Sequence, residues 1–226
     1  STGGSRAIDF ELIKENNLLK LSVFFFLIVL ICGLFIVYVR GTLILYIGLF
    51  AAIGVYFYSA PPIHFASRFG LGELFHIICL GPLFIIGSKY TLLGYFDNVD
   101  LFLGLPFGLL ITACLIMNEY PDSKYDKKCG KNNLAVILGV KYIPYFYTFL
   151  VFLSYFSIFC CILFKFLSYY YLIILFALPY SVKSIITTFN ISINRKFIAN
   201  SCMESFYSYL YFSYCMIFSS FVCIFL

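Results

Sequence analysis

The chain has 226 residues, of which 63% are apolar, 22% aromatic and only 11% charged, with a formal net charge of +5. Soluble domains are about half apolar and a quarter charged. The balance here, with a mean hydropathy of +1.00, excludes a disordered chain, a basic nucleic-acid-binding domain and an ordinary soluble enzyme, and leaves a polytopic membrane protein. The opening segment STGGSRAIDFELIKENN is polar and holds no signal-peptide apolar region. Seven apolar runs follow, at about 19–39, 42–58, 74–96, 101–117, 143–164, 169–187 and 206–226. Each approaches the ~20 residues a helix needs to cross hydrocarbon. The runs are continuous and do not alternate, which disfavours a β-barrel and predicts an all-α, seven-span transmembrane bundle. Gly81-Pro82, Gly104 with Pro106, and Pro179 are expected to kink helices or let them pack closely. The nine Cys lie mostly within apolar runs without paired spacing, and read as small apolar residues rather than a disulfide or zinc framework.

The basic residues set the sides. Alternating across seven spans places twelve of the fifteen Lys and Arg with the N-terminal segment and leaves Arg40, Lys89 and Lys165 opposite. Cytoplasmic loops carry the Lys and Arg excess, so the N-terminal segment is predicted cytoplasmic, in a multi-pass protein of the cell inner membrane. The long polar loops 59–73, 118–142 and 188–205 all fall on that face. The far loops are short, and Lys183 is the only charge well inside a span.

One loop carries a chemical pattern. From residue 118 it reads NEYPDSKYDKKCGKNNLAVILG, with Asn118, Asp122 and Asp126 recurring every four residues. On a helix these drift only about 40° per step and share one face. Oxygen donors stacked this way suit Mg²⁺, which is held by one or two carboxylates with waters and phosphate oxygens. Pro121 cannot donate to Met117, so the helix should open where the span meets water. Lys124, Lys127, Lys128 and Lys131 flank the acids, and Gly130 permits a tight turn. The physical pattern admits either a diphosphate site or a solvated loop kept soluble by alternating charge. Tyr58 and Ser59, at the end of a span, read either as pocket residues or as an interfacial Tyr and a turn before Pro61-Pro62. Arg68 could grip phosphate or serve only as a positive-inside residue, and Arg6 has the same two readings. Glu73 suits a helix N-terminus, and His64 and His76 lack partners at metal spacing.

Asn118-x-x-x-Asp122-x-x-x-Asp126-x-x-x-Gly130-Lys131, with Leu134 and Leu138-Gly139, resembles the second aspartate-rich motif of the UbiA-type intramembrane prenyltransferases. Tyr58-Ser59-Ala60-Pro61-Pro62, running on through Arg68, Gly70-Leu71-Gly72-Glu73 and Gly81-Pro82, is similar to the loop and span of the 1,4-dihydroxy-2-naphthoate polyprenyltransferase branch. Thr2-Gly3-Gly4-Ser5-Arg6 resembles the segment after that family's first aspartate-rich motif. The resemblance implies that residues 1–226 form a single prenyltransferase domain, without the first two of the family's nine helices and its first aspartate-rich motif. It implies transfer of a polyprenyl group from polyprenyl diphosphate to an aromatic acceptor. That acceptor would be 1,4-dihydroxy-2-naphthoate on a menaquinone route; 4-hydroxybenzoate, homogentisate, a chlorophyllide or a glycerol phosphate lipid are the alternatives. An inactive membrane fragment or a transporter is the rival reading. On the family pattern Asp122 and Asp126 are catalytic and, with Asn118, hold Mg²⁺. Tyr58, Ser59, Arg68, Lys131 and Arg6 would bind substrate, and the bilayer would supply the isoprenoid. Relatives have Arg-Thr after the Gly-Lys pair, where this chain has Asn132-Asn133.

Overall fold

The computed structural model describes residues 10–193 and 198–225, and every regular element among them is helical. Helices α1 (Glu15–Arg40) and α2 (Thr42–Ser59) form a hairpin turned at Gly41, whose φ of 98° favours glycine. No residue of α1 is buried; its Phe, Leu and Ile side chains face outward, as suits a helix surrounded by hydrocarbon. The third span is two helices, α3 (Leu71–Leu80) and α4 (Pro82–Leu93), meeting at Gly81 where φ is −111° and ψ −105°. Pro82 heads α4, where its missing N–H leaves no helical acceptor unmet. The expected kink at Gly81-Pro82 is therefore a full break.

That break packs on α5 (Asn98–Glu119), the most deeply enclosed helix, which also contacts α7 (Leu134–Leu163) and α9 (Ile198–Phe225). Backbone meets backbone there. A Cβ on Gly104 would run into the Pro82 main chain, and one on Gly108 into the Ile77 carbonyl. Leu109, Leu110, Ile116 and Met117 of α5 then interlock with Ile143, Tyr147 and Phe212 in the core.

Two expected loops are partly helix. The 118–142 segment contains α6 (Ser123–Lys128) and the first turns of α7, interrupted at Gly139 with φ 61° and ψ 179°. The 188–205 segment shortens because α8 (Leu178–Ile193) runs on and α9 starts at Ile198. The run of Ser that reads as polar loop is a buried seam. Ser201 Oγ donates to Thr187 O at 2.8 Å and Ser205 Oγ to Cys202 O at 2.7 Å. Small hydroxyl residues let helices approach closely while meeting their own hydrogen-bonding needs. Tyr147 Oη donates to Ser184 Oγ at 2.8 Å, and Ser181 joins Tyr155 and Ser208 at 2.9 and 2.7 Å. Lys183, the charge inside a span, is paired at 2.7 Å with Glu204 of α9.

The two ends of the bundle differ as the charge count anticipates. At one end Arg40 Nε donates to Thr91 O at 2.7 Å, and Lys89 lies 2.8 Å from both Asp97 and Asp100. Asp100 also accepts from Asp97 N at 2.7 Å, a capping box at the start of α5. At the other end the loops 59–73 and 118–142 are joined: Asn132 N donates to Ser67 O at 2.9 Å and Leu134 N to Glu73 Oε1 at 2.8 Å.

Candidate functional site

The site begins with Pro121. Lacking an N–H, it cannot bond Met117 O, and that carbonyl instead accepts the Cys202 thiol at 3.1 Å. The helix α5 stops at Glu119, a 3₁₀ turn covers Tyr120–Asp122, and α6 follows. The opening expected at Pro121 is thus present. The chain then reverses through Gly130, φ 78°, with Lys131 N bonded to Asp126 O at 3.0 Å.

Asn118, Asp122 and Asp126 keep one face through this change and line a single polar cavity of about 410 Å³. Lys131 lines the same cavity, its Nζ 3.0 Å from Asp126 Oδ1. Tyr58 and Ser59, from the end of α2, line it as well. Arg68 lies on the same loop but does not line the cavity; its Nη2 donates to Pro62 O at 3.1 Å. Arg6 falls outside the described residues.

Three residues join the site that spacing alone did not mark. Glu119, one position beyond Asn118, also lines the cavity, and its Oε2 is sealed from solvent without a hydrogen-bond partner. Asn133 caps α7 by accepting from Val136 N at 3.0 Å, while its Nδ2 reaches Asp126 Oδ2 at 3.4 Å. So the Asn132-Asn133 pair ties the turn to the Ser67 carbonyl and to Asp126. Glu73, 4% exposed, does more than favour its own helix: it holds the first N–H of α7. The nearest available signals were a carboxylate beside Asn118 and an Asn immediately before an apolar run.

Three carboxylates, Glu119, Asp122 and Asp126, face one Lys in the cavity wall. A cation bound among them would offset the charge of an anionic ligand. The donors are oxygens, the set a hard divalent ion prefers. Among the described residues no group of three His, Cys, Asp or Glu stands positioned to hold a metal ion. A second cavity, of about 490 Å³ and mainly apolar, adjoins the first and shares Tyr58 and Ser59 with it.

Loss of the Glu73 bond should be costly. Glu73→Ala strands the Leu134 N–H and is expected to remove about 1–3 kcal/mol of stability. Glu73→Gln, which keeps an acceptor oxygen, should recover most of it, as read from thermal midpoints in detergent.

A helical bundle of seven membrane-length spans with an acid-lined cavity at one end defines a polytopic membrane protein built around a polar site. The sequence profile of the UbiA prenyltransferase family matches residues 18–196, most of the chain, and the chain belongs to that family. It is 28% identical over 141 residues to the 1,4-dihydroxy-2-naphthoate octaprenyltransferase of Bacillus subtilis (strain 168), covering 62% of this chain and 45% of that protein. It is 34% identical over 116 residues to UbiA prenyltransferase domain-containing protein 1 of Dictyostelium discoideum, covering 51% and 35%. To the protein of that name from Gallus gallus it is 27% identical over 157 residues, covering 69% and 46%. The chain thus spans less than half the length of these relatives. No solved structure matches.

Proposed function

We propose that the protein transfers a polyprenyl group from a polyprenyl diphosphate to an aromatic ring, with 1,4-dihydroxy-2-naphthoate as the acceptor. The observation that carries this reading is the convergence of Asn118, Asp122, Asp126 and Lys131 on one cavity that adjoins an apolar one. The acceptor is inferred from the name of the Bacillus subtilis relative. Asn118, Asp122 and Asp126 would hold Mg²⁺, which supplies charge neutralisation for a diphosphate when bound.

The roles of the described residues follow from their placement. Lys131 meets phosphate oxygens as charge gathers on the leaving diphosphate, and Asn133 keeps Asp126 oriented. Tyr58 and Ser59 present hydroxyls at the boundary of the two cavities, where the reacting carbon would lie. Arg68 donates from Nη2 to the Pro62 carbonyl, and its remaining N–H groups would serve phosphate. Arg6 is a further phosphate contact on the family pattern. The isoprenoid tail partitions into the bilayer that the exposed apolar helices occupy. The twelve-to-three division of basic residues supports a cytoplasmic active-site face.

The test is to incubate the full-length protein in membranes with labelled polyprenyl diphosphate, 1,4-dihydroxy-2-naphthoate and Mg²⁺. Prenylated product should form and should vanish on chelation with EDTA. No product under these conditions overturns the proposal.

A further inference from the structure

We infer that the apolar cavity beside the acids is the acceptor's subsite, and that His76 seats the aromatic ring there by accepting a hydrogen bond from its hydroxyl. This rests on the prenyl-transfer reading and adds to it where the second substrate sits. The cavity, about 490 Å³, is walled by Ala51, Val55, Phe75, Leu80 and Phe84, with His76 set among them. A volume in this range suits a small aromatic acid.

The imidazole decides between possible occupants. Its Nδ1 lies 3.3 Å from Gly72 O, one turn back on the same helix. A carbonyl only accepts, so Nδ1 donates to it, and in that tautomer Nε2 is an acceptor. Nε2 is the ring's other polar atom, on a residue that lines the cavity. The ring is braced by Tyr58, the two centroids 5.3 Å apart with planes at 54°. In a mainly apolar wall this nitrogen offers a hydrogen bond that only an occupant with a donor can make. A polyprenyl tail has no donor to offer it. A hydroxylated aromatic ring has the donor, the size and a face for Phe75, Phe84 and Tyr58. Tyr58 and Ser59 belong to both cavities, so a ring seated here lies next to the carbon that leaves the diphosphate.

The experiment measures equilibrium binding of 1,4-dihydroxy-2-naphthoate by its fluorescence, without polyprenyl diphosphate, to wild type, His76→Leu and His76→Gln protein in nanodiscs. Steady-state kinetics are measured on the same samples. His76→Leu should weaken acceptor binding about tenfold or more. It should raise KM for the acceptor by a similar factor and leave KM for polyprenyl diphosphate unchanged. His76→Gln, which can still accept, should recover much of the loss. Unchanged acceptor affinity in both variants overturns the assignment, as does a rise confined to KM for polyprenyl diphosphate, which would put the tail in this cavity. No binding by wild type overturns it too. Binding that depends on His76 in a protein that transfers no prenyl group would uphold the subsite and defeat the prenyl-transfer reading alone.

Discussion

Asp122→Ala and Asp126→Ala should each lower kcat/KM for prenyl transfer by about a hundredfold or more while the protein still folds and inserts. Removing one preorganised electrostatic group from an active site commonly costs two to three orders of magnitude, roughly 10²–10³. Both acids line the polar cavity and neither belongs to the apolar core, so packing should survive their truncation. Asp126 holds Lys131 at 3.0 Å and Asn133 at 3.4 Å, and its loss should loosen the turn that carries them. Asp122→Asn and Asp126→Asn keep shape but remove charge, and should be nearly as inactive as the alanines. Kinetics at saturating Mg²⁺, with thermal midpoints as the folding control, check all four. Near-wild-type rates in both alanine variants would remove these acids from the site.

Gly108→Ala and Gly104→Ala should destabilise the protein although alanine is the better helix former. Propensity alone favours alanine in a helix interior by about 1 kcal/mol. At these positions a Cβ meets backbone at under 3.0 Å: the Ile77 carbonyl for Gly108, Pro82 and Gly81 for Gly104. Backbone cannot swing aside as a side chain can, so the joint between α3 and α4 must separate from α5. Overpacking of this kind typically costs about 1–3 kcal/mol and sometimes more, and Gly108→Val should exceed the alanine change. The internal control is Gly33 of α1, where nothing lies within 4 Å of an added Cβ. Gly33→Ala should be neutral or stabilising. Thermal midpoints of the three alanine variants give opposite signs if the helices pack as described, and equal small gains if they do not.

What the chain determines by itself is what depends on near neighbours and on the bilayer. Hydrocarbon thickness sets the length of a span, so seven runs could be counted without knowing how they pack. The face shared by Asn118, Asp122 and Asp126 follows from helix geometry within nine residues, and it survives the 3₁₀ turn at Tyr120–Asp122. Pro121 announces that turn because its ring lacks a donor whatever surrounds it. The tertiary structure decides what depends on distant partners. Glu73 reads locally as a helix-starting acid, yet it grips a backbone N–H 61 positions away. The Ser-rich start of α9 reads as loop because its partners, such as Thr187, lie on another helix. Glu119 joins the cavity although strict spacing excludes it, because the wall is broader than one helical stripe. His76 looks structural in sequence, since an imidazole within an apolar run gives no sign of which side it faces. Only the packing of α3 against α2 brings it beside Tyr58, on the wall of a cavity that no single helix encloses.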